Sequence, residues 1–116
     1  MAVWAFSEDD TNPIGAFSSQ TSAAFNFGVE SQTISNVITG RQKTAKSRRD
    51  GKKYRFQKDL PVVAFWGEDQ QSFNSSYQAG QRLFLDPKEI WCCLTKQQET
   101  VTSQVLGRHF NFKYSS

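Results

Sequence analysis

The sequence predicts an all-β protein: a small antiparallel β-barrel or sandwich with a long basic β-hairpin and an extended N-terminal arm. Three observations lead there. Apolar residues recur with period two more clearly than with helical spacing, and Phe, Val, Ile and Tyr carry the pattern. Uncharged polar residues are abundant, with 13 Ser, 8 Thr, 5 Asn and 11 Gln in 116 residues. The mean hydropathy of -0.61 therefore reflects amides and hydroxyls more than charge. Seven glycines are spread singly and punctuate the apolar runs rather than forming a phosphate-binding loop.

Residues 1–22 set Trp4, Phe6, Ile14 and Phe17 among turn formers and hydroxyls. Such a segment buries little area to offset its ordering entropy, so it reads as an extended arm that either packs on its own barrel as an edge strand or docks its aromatic residues into a neighbouring subunit. Residues 23–116 read as one β-domain of a size that needs no disulfide or metal. Within it, AAFNFGVE (23–30) places Phe25, Phe27 and Val29 on one strand face, and QTISNVIT (32–39) continues with Ile34, Val37 and Ile38. KYRFQ (53–57) alternates Tyr54 and Phe56 with charge, and VVAFW (62–66) is nearly continuous after Pro61, as in a strand buried on both faces.

Residues 82–85 and 89–96 read as two further strands about an Asp86-Pro87 turn, with 100–105 and 109–114 closing the chain around Gly107. Helix is predicted only over 72–79, and more weakly over 96–100. Both stretches are too short to persist without tertiary support.

Charge is distributed in blocks. Residues 1–40 carry four acidic groups and no Lys or Arg. Residues 41–58 carry Arg41, Lys43, Lys46, Arg48, Arg49, Lys52, Lys53, Arg55 and Lys58 against Asp50 alone. The remainder has five basic and six acidic side chains. The net charge of +3 is thus the product of one cationic segment. Asp50-Gly51 near its middle is a favoured hairpin-turn pair, and the repulsion among these cations calls for a polyanionic partner.

Catalytic and metal chemistry have little support. His109 is the only histidine, with no assignable partner. Cys92 and Cys93 are adjacent, so in a strand they point to opposite faces and cannot ligate one metal in the usual C-x-x-C manner. Two reduced thiols suit a cytoplasmic setting. The expectation is a non-enzymatic protein with no cofactor, no metal and no small-molecule substrate. No apolar run is long enough to cross a membrane, and no secretory signal is visible at the start.

Two functional readings follow. The first is an accessory virion protein that decorates or cements a bacteriophage capsid, assembled in the host cytoplasm. Its partners would be the major capsid or another shell protein and copies of itself, met through the arm anchors and the basic residues of 41–58. The second is an OB-like single-stranded nucleic-acid binder, in which the same cations follow phosphates while Tyr54, Phe56 and Trp66 stack on bases. Alternation sets Tyr54 and Phe56 opposite Lys53 and Arg55, so rings turned to the core would leave no such platform.

Overall fold

A computed structural model of the chain describes residues 2–115. It contains two compact units, Met1–Asp59 and Leu60–Ser116, in place of an arm followed by a single β-domain. In unit 1 the elements run β1 (Val3–Ser7), β2 (Gly15–Phe17), α1 (Gln20–Phe27), α2 (Ser31–Ile38), β3 (Ala45–Lys46) and β4 (Lys53–Lys58). In unit 2 they run β5 (Val62–Trp66), β6 (Asp69–Phe73), α3 (Ser76–Leu83), α4 (Pro87–Leu94), β7 (Val101–Ser103) and β8 (Arg108–Tyr114). Each unit has an open, four-stranded antiparallel sheet, ordered β2-β1-β4-β3 in one and β6-β5-β8-β7 in the other. Strand content is high, as expected. The all-β class is met only in part: neither sheet closes into a barrel, and two helices lie between β2 and β3 and two between β6 and β7.

The segments expected as strands but folded as helices show why. In 23–30 the period-two residues Phe25, Phe27 and Val29 do not share a face: α1 ends at Phe27, and Val29 lies in the connection after it. Folded as α1, Ala23 and Ala24 point into the core and Phe27 packs against it, while Phe25 is left 75% exposed. In α2, Ile34, Val37 and Ile38 have i, i+3, i+4 spacing and face the same core. Residues 82–85 finish α3 and its cap, and 89–96 form most of α4 and its C-terminal cap. The helix predicted at 72–79 begins instead at Ser76.

Local chemistry defines the helix ends. Ser19 and Ser75 are N-caps whose hydroxyls accept from the Ser22 and Gln78 N–H groups, each at 3.0 Å. Asp86 caps α4 by accepting from the Lys88 N–H, with Pro87 in the first helical turn. The Asp86-Pro87 pair therefore starts a helix rather than turning between strands.

In unit 1, Val3 and Ala5 of β1, Ala45 of β3, and Tyr54 and Phe56 of β4 pack with Ala23, Ala24 and Ile34 of the helices. Phe27 lies at the centre of the rings, with centroids 4.7 Å from Tyr54, 5.3 Å from Phe17 and 5.7 Å from Phe56. In unit 2, Val62, Ala64, Phe110 and Phe112 pack with Ala79, Leu83, Ile90 and Cys93.

The N-terminal segment is a correction to the sequence expectation. β1 pairs with β2 on one side and with β4 on the other, so it is an inner strand. Trp4 and Phe6 are each 1% exposed, and Phe17 packs on Phe27. Of the four expected anchors only Ile14 is exposed. Two inner-strand aromatics bury far more surface than an arm could, which is what fixes this segment in the sheet.

The two units repeat one pattern. From residue 17 onward, each position of unit 1 has a counterpart 56 residues later: Phe17 and Phe73, Ser19 and Ser75, Ala23 and Ala79, Ile34 and Ile90, Ser47 and Ser103, Gly51 and Gly107, Phe56 and Phe112. The first strands match as Val3, Ala5 and Phe6 with Val62, Ala64 and Phe65. Strand registers agree too. Val3 pairs with Phe17 and Lys58, and Val62 with Phe73 and Tyr114. The chain is an internal duplication of a ββααββ unit.

Candidate functional site

The units differ where their chemistry is exposed. Unit 1 carries nine basic and six acidic side chains, and unit 2 five of each. The contrast is concentrated in one stretch. Residues 41–58 hold nine Lys and Arg, whereas the equivalent 97–114 hold only Arg108 and Lys113.

The cationic stretch does contain a hairpin. β3 pairs with β4 through Ala45–Tyr54 and Lys46–Lys53, and Gly51, with φ 70°, sits in the connection. It is short, however, and it does not project. The Arg48 N–H donates to the Gly28 carbonyl at 2.9 Å, and Ser47 is buried with its hydroxyl accepting from the Arg49 N–H. The loop is thereby folded against the connection between α1 and α2.

That connection is only Gly28, Val29 and Glu30, so α1 and α2 form a helix-turn-helix with a glycine in the left-handed region, φ 64°. Gly28 has a second role. A Cβ built there would lie 2.8 Å from Arg49 Cγ, so only glycine lets the Arg49 side chain cross the turn. The Arg49 guanidinium reaches the Asn26 carbonyl at 3.2 Å and lies 5.4 Å from the centre of the Phe25 ring. Arg48 pairs at 2.5 Å with Glu30, the N-cap of α2. This pair offsets a carboxylate that would otherwise repel anions from that end of the helix.

At the other end of α2, the Arg41 N–H donates to the Asn36 carbonyl at 2.9 Å, and Lys43 follows in the exposed loop. Arg41, Lys43, Arg48 and Arg49 thus bracket α2. The surface they bracket carries no charge: Ser31, Gln32, Ser35, Asn36 and Thr39 are hydroxyls and amides. Gln32 Nε2 donates to Asn36 Oδ1 at 3.3 Å, Asn36 Nδ2 to Gln42 Oε1 at 3.5 Å, and Gln42 Nε2 to the Thr44 carbonyl at 2.8 Å. These bonds use part of each amide's capacity, since an amide has two donor hydrogens and an oxygen with two lone pairs. The surface can therefore pair with groups that both donate and accept, between cations that attract a polyanion.

The other predicted cations are placed elsewhere. Side chains alternate along β3 and β4, and Ala45, Tyr54 and Phe56 face the helices, so Lys46, Lys53 and Arg55 lie on the opposite sheet face. Arg55 is 4.9 Å from the centre of the Phe6 ring and donates to the Glu8 carbonyl at 3.2 Å and to the Asp10 carbonyl. Lys52 is exposed at the hairpin turn, lining a shallow depression with Glu8, Asp9 and Asp10.

Of the predicted stacking residues, Tyr54 and Phe56 are taken up by packing in the core of unit 1, while Trp66 is half-buried and lies in unit 2. It packs there on Phe110 with centroids 5.3 Å apart. Tyr54 also donates its hydroxyl to Asp50 at 2.6 Å, which raises the phenol pKa above its ordinary value. That bond, followed by the Lys52 N–H, holds the Asp50 carboxyl below its ordinary range.

Sequence reasoning overlooked Gln32, Asn36 and Gln42. Their signals were the Ser19 cap, the i, i+3, i+4 apolar spacing of Ile34, Val37 and Ile38, and the 56-residue repeat. Among the described residues no cluster of His, Cys, Asp and Glu fits a metal ion, and no helix is long and apolar enough to cross a membrane. His109 is exposed, with Nδ1 2.7 Å from Thr102 Oγ1. No protein-family model, curated protein or solved structure matches the chain.

Proposed function

We propose that this protein binds duplex nucleic acid through unit 1, with α2 as the helix presented to the groove and the basic residues beside it on the phosphate backbone. The observation that carries this reading is the composition of α2's surroundings: an uncharged amide and hydroxyl surface, second in a helix-turn-helix, bracketed by Arg41, Lys43, Arg48 and Arg49. In helix-turn-helix proteins the second helix enters the major groove and its flanks contact phosphates. With Tyr54 and Phe56 buried in the core of unit 1, the basic strand offers no base-stacking platform for single strands, so duplex is favoured over single strand. The shell-decorating reading drew on an aromatic arm, and the pairing of β1 removes Trp4 and Phe6 from that role.

Fluorescence anisotropy with a labelled 20-base-pair duplex and the matching single strand tests the proposal. Three to four phosphate contacts give a slope of log affinity against log salt of about -2.7 to -3.6, a loss of about 40- to 150-fold between 50 and 200 mM. Changing Arg41 and Lys43 to Gln should reduce that slope by about 0.9 for each phosphate that is no longer neutralised. Tighter binding to the single strand, or no salt-dependent binding to either, would overturn the proposal. In the second case, cosedimentation with an assembled shell would favour the decorating role.

A further inference from the structure

We infer that unit 1 selects adenine-containing base pairs in the DNA major groove through the linked amides of Gln32 and Asn36, with Gln42 holding Asn36 in orientation. This rests on the duplex-binding reading and narrows it to a substrate. Adenine offers the major groove an N7 acceptor beside an N6 donor, and an Asn or Gln amide matches both at once. Gln32 and Asn36 are one helical turn apart and hydrogen-bonded to each other, and Asn36 is bonded in turn to Gln42. Anchored on the Thr44 carbonyl, this chain limits the rotamers the amides sample before they meet a base. A side chain oriented in advance loses less entropy on binding. DNA is favoured over RNA because the major groove of an A-form duplex is too deep and narrow for side chains to read.

A second observation, independent of hydrogen bonding, supports the assignment. The repeat supplies the same two-helix scaffold in unit 2, where Lys88 and Cys92 stand at the positions of Gln32 and Asn36. The amide pair and the surrounding cations are present together in one copy and missing together from the other. A purely structural role for the amides would give no reason for them to accompany the cations, because α4 folds without them. Arg41, Lys43 and Arg49 then position the duplex, and Gln32 and Asn36 specify the sequence.

The test is selection of the full chain on a duplex pool with a randomised ten-base-pair core, followed by anisotropy on single-position variants of the selected site. The expected result is an enriched site in which replacing an adenine lowers affinity about 5- to 150-fold, the range for one bidentate pair. Asn36→Ala and Gln32→Ala should each abolish the preference at one position while leaving the salt slope unchanged, which loss of fold would not do. Asn36→Asp, an acceptor of similar shape, should shift that preference toward cytosine, whose N4 is a donor. Gln32 is exposed, so its variant remains informative if Asn36 variants fold poorly. Salt-dependent binding with no adenine preference, or a preference unchanged in both alanine variants, would overturn the inference and leave duplex binding standing. Absence of salt-dependent duplex binding would overturn both.

Discussion

Replacing Gly28 by alanine should damage unit 1 by two separable routes. The backbone there has φ 64°, and a Cβ in the left-handed region costs about 1–2 kcal/mol. The same Cβ would stand 2.8 Å from Arg49 Cγ and 3.2 Å from Cδ, so the arginine must leave the turn. It would give up its stack on Phe25, worth about 0.5–1 kcal/mol at an exposed site. It would also forfeit its bond to the Asn26 carbonyl, worth about 0.5–1.5 kcal/mol. Alanine's lower freedom in the unfolded chain offsets about 0.4–1 kcal/mol. The net expectation is a destabilisation of about 1–3 kcal/mol, taking the exposed contacts at the low end of their ranges.

Gly51 supplies the control. It has φ 70° but nothing within 4 Å of a built Cβ, so Gly51→Ala isolates backbone strain. Urea unfolding followed by circular dichroism should place Gly28→Ala about 1 kcal/mol below Gly51→Ala. That extra loss should vanish when both are measured in an Arg49→Ala background. Equal losses for the two glycines, or an extra loss that persists without Arg49, would refute the reasoning.

Ile34→Ala and Ile90→Ala each empty a fully buried, equivalent position and should each cost about 2–5 kcal/mol in denaturant unfolding; a loss under about 1 kcal/mol for either would contradict its place in the core of its own unit. Asp50 titrates below its ordinary range and Tyr54 above its own because the two share a hydrogen bond. The carboxylate's contribution to stability is therefore present above the ordinary Asp range and lost as pH falls through the depressed value. The phenol's is present below about 10 and lost as pH rises through the raised value. Tyr54→Phe should move the Asp50 midpoint upward in a carbon-detected NMR titration, and an unmoved midpoint would exclude the bond. Burial raises the Cys93 thiol pKa, so Cys93 should react with Ellman's reagent more slowly than the less buried Cys92, and the reverse order would contradict the packing of α4.

Strands with one polar and one apolar face were legible in the sequence. KYRFQK and HFNFKY alternate strictly, and VVAFW is a short apolar run after a proline; all three are strands. The helices were not legible by composition, because each has only eight residues and several are built from β-branched or aromatic types. Their identity comes from tertiary packing and capping, which override propensity over so short a length. Ser19, Ser75 and Asp86-Pro87 nonetheless carried recognisable start signals. The cationic segment stood out from its charge alone, but its division between two faces of a sheet depends on the register of β3 on β4. That register follows from the hairpin geometry rather than from charge pattern.

The 56-residue correspondence makes the chain its own reference for engineering. Two different side-chain sets satisfy one backbone, so positions occupied identically in both mark what the scaffold demands: Ser19 and Ser75 at caps, Ala23 and Ala79 beneath the sheet, Gly51 and Gly107 in the hairpin turn. Positions that differ, such as Asn36 and Cys92, are those the scaffold leaves open. Exposed groups can therefore be transplanted between copies with their neighbours already specified. Moving the Arg41–Arg49 loop with Gln32 and Asn36 onto the unit 2 framework is the exchange this pairing makes available.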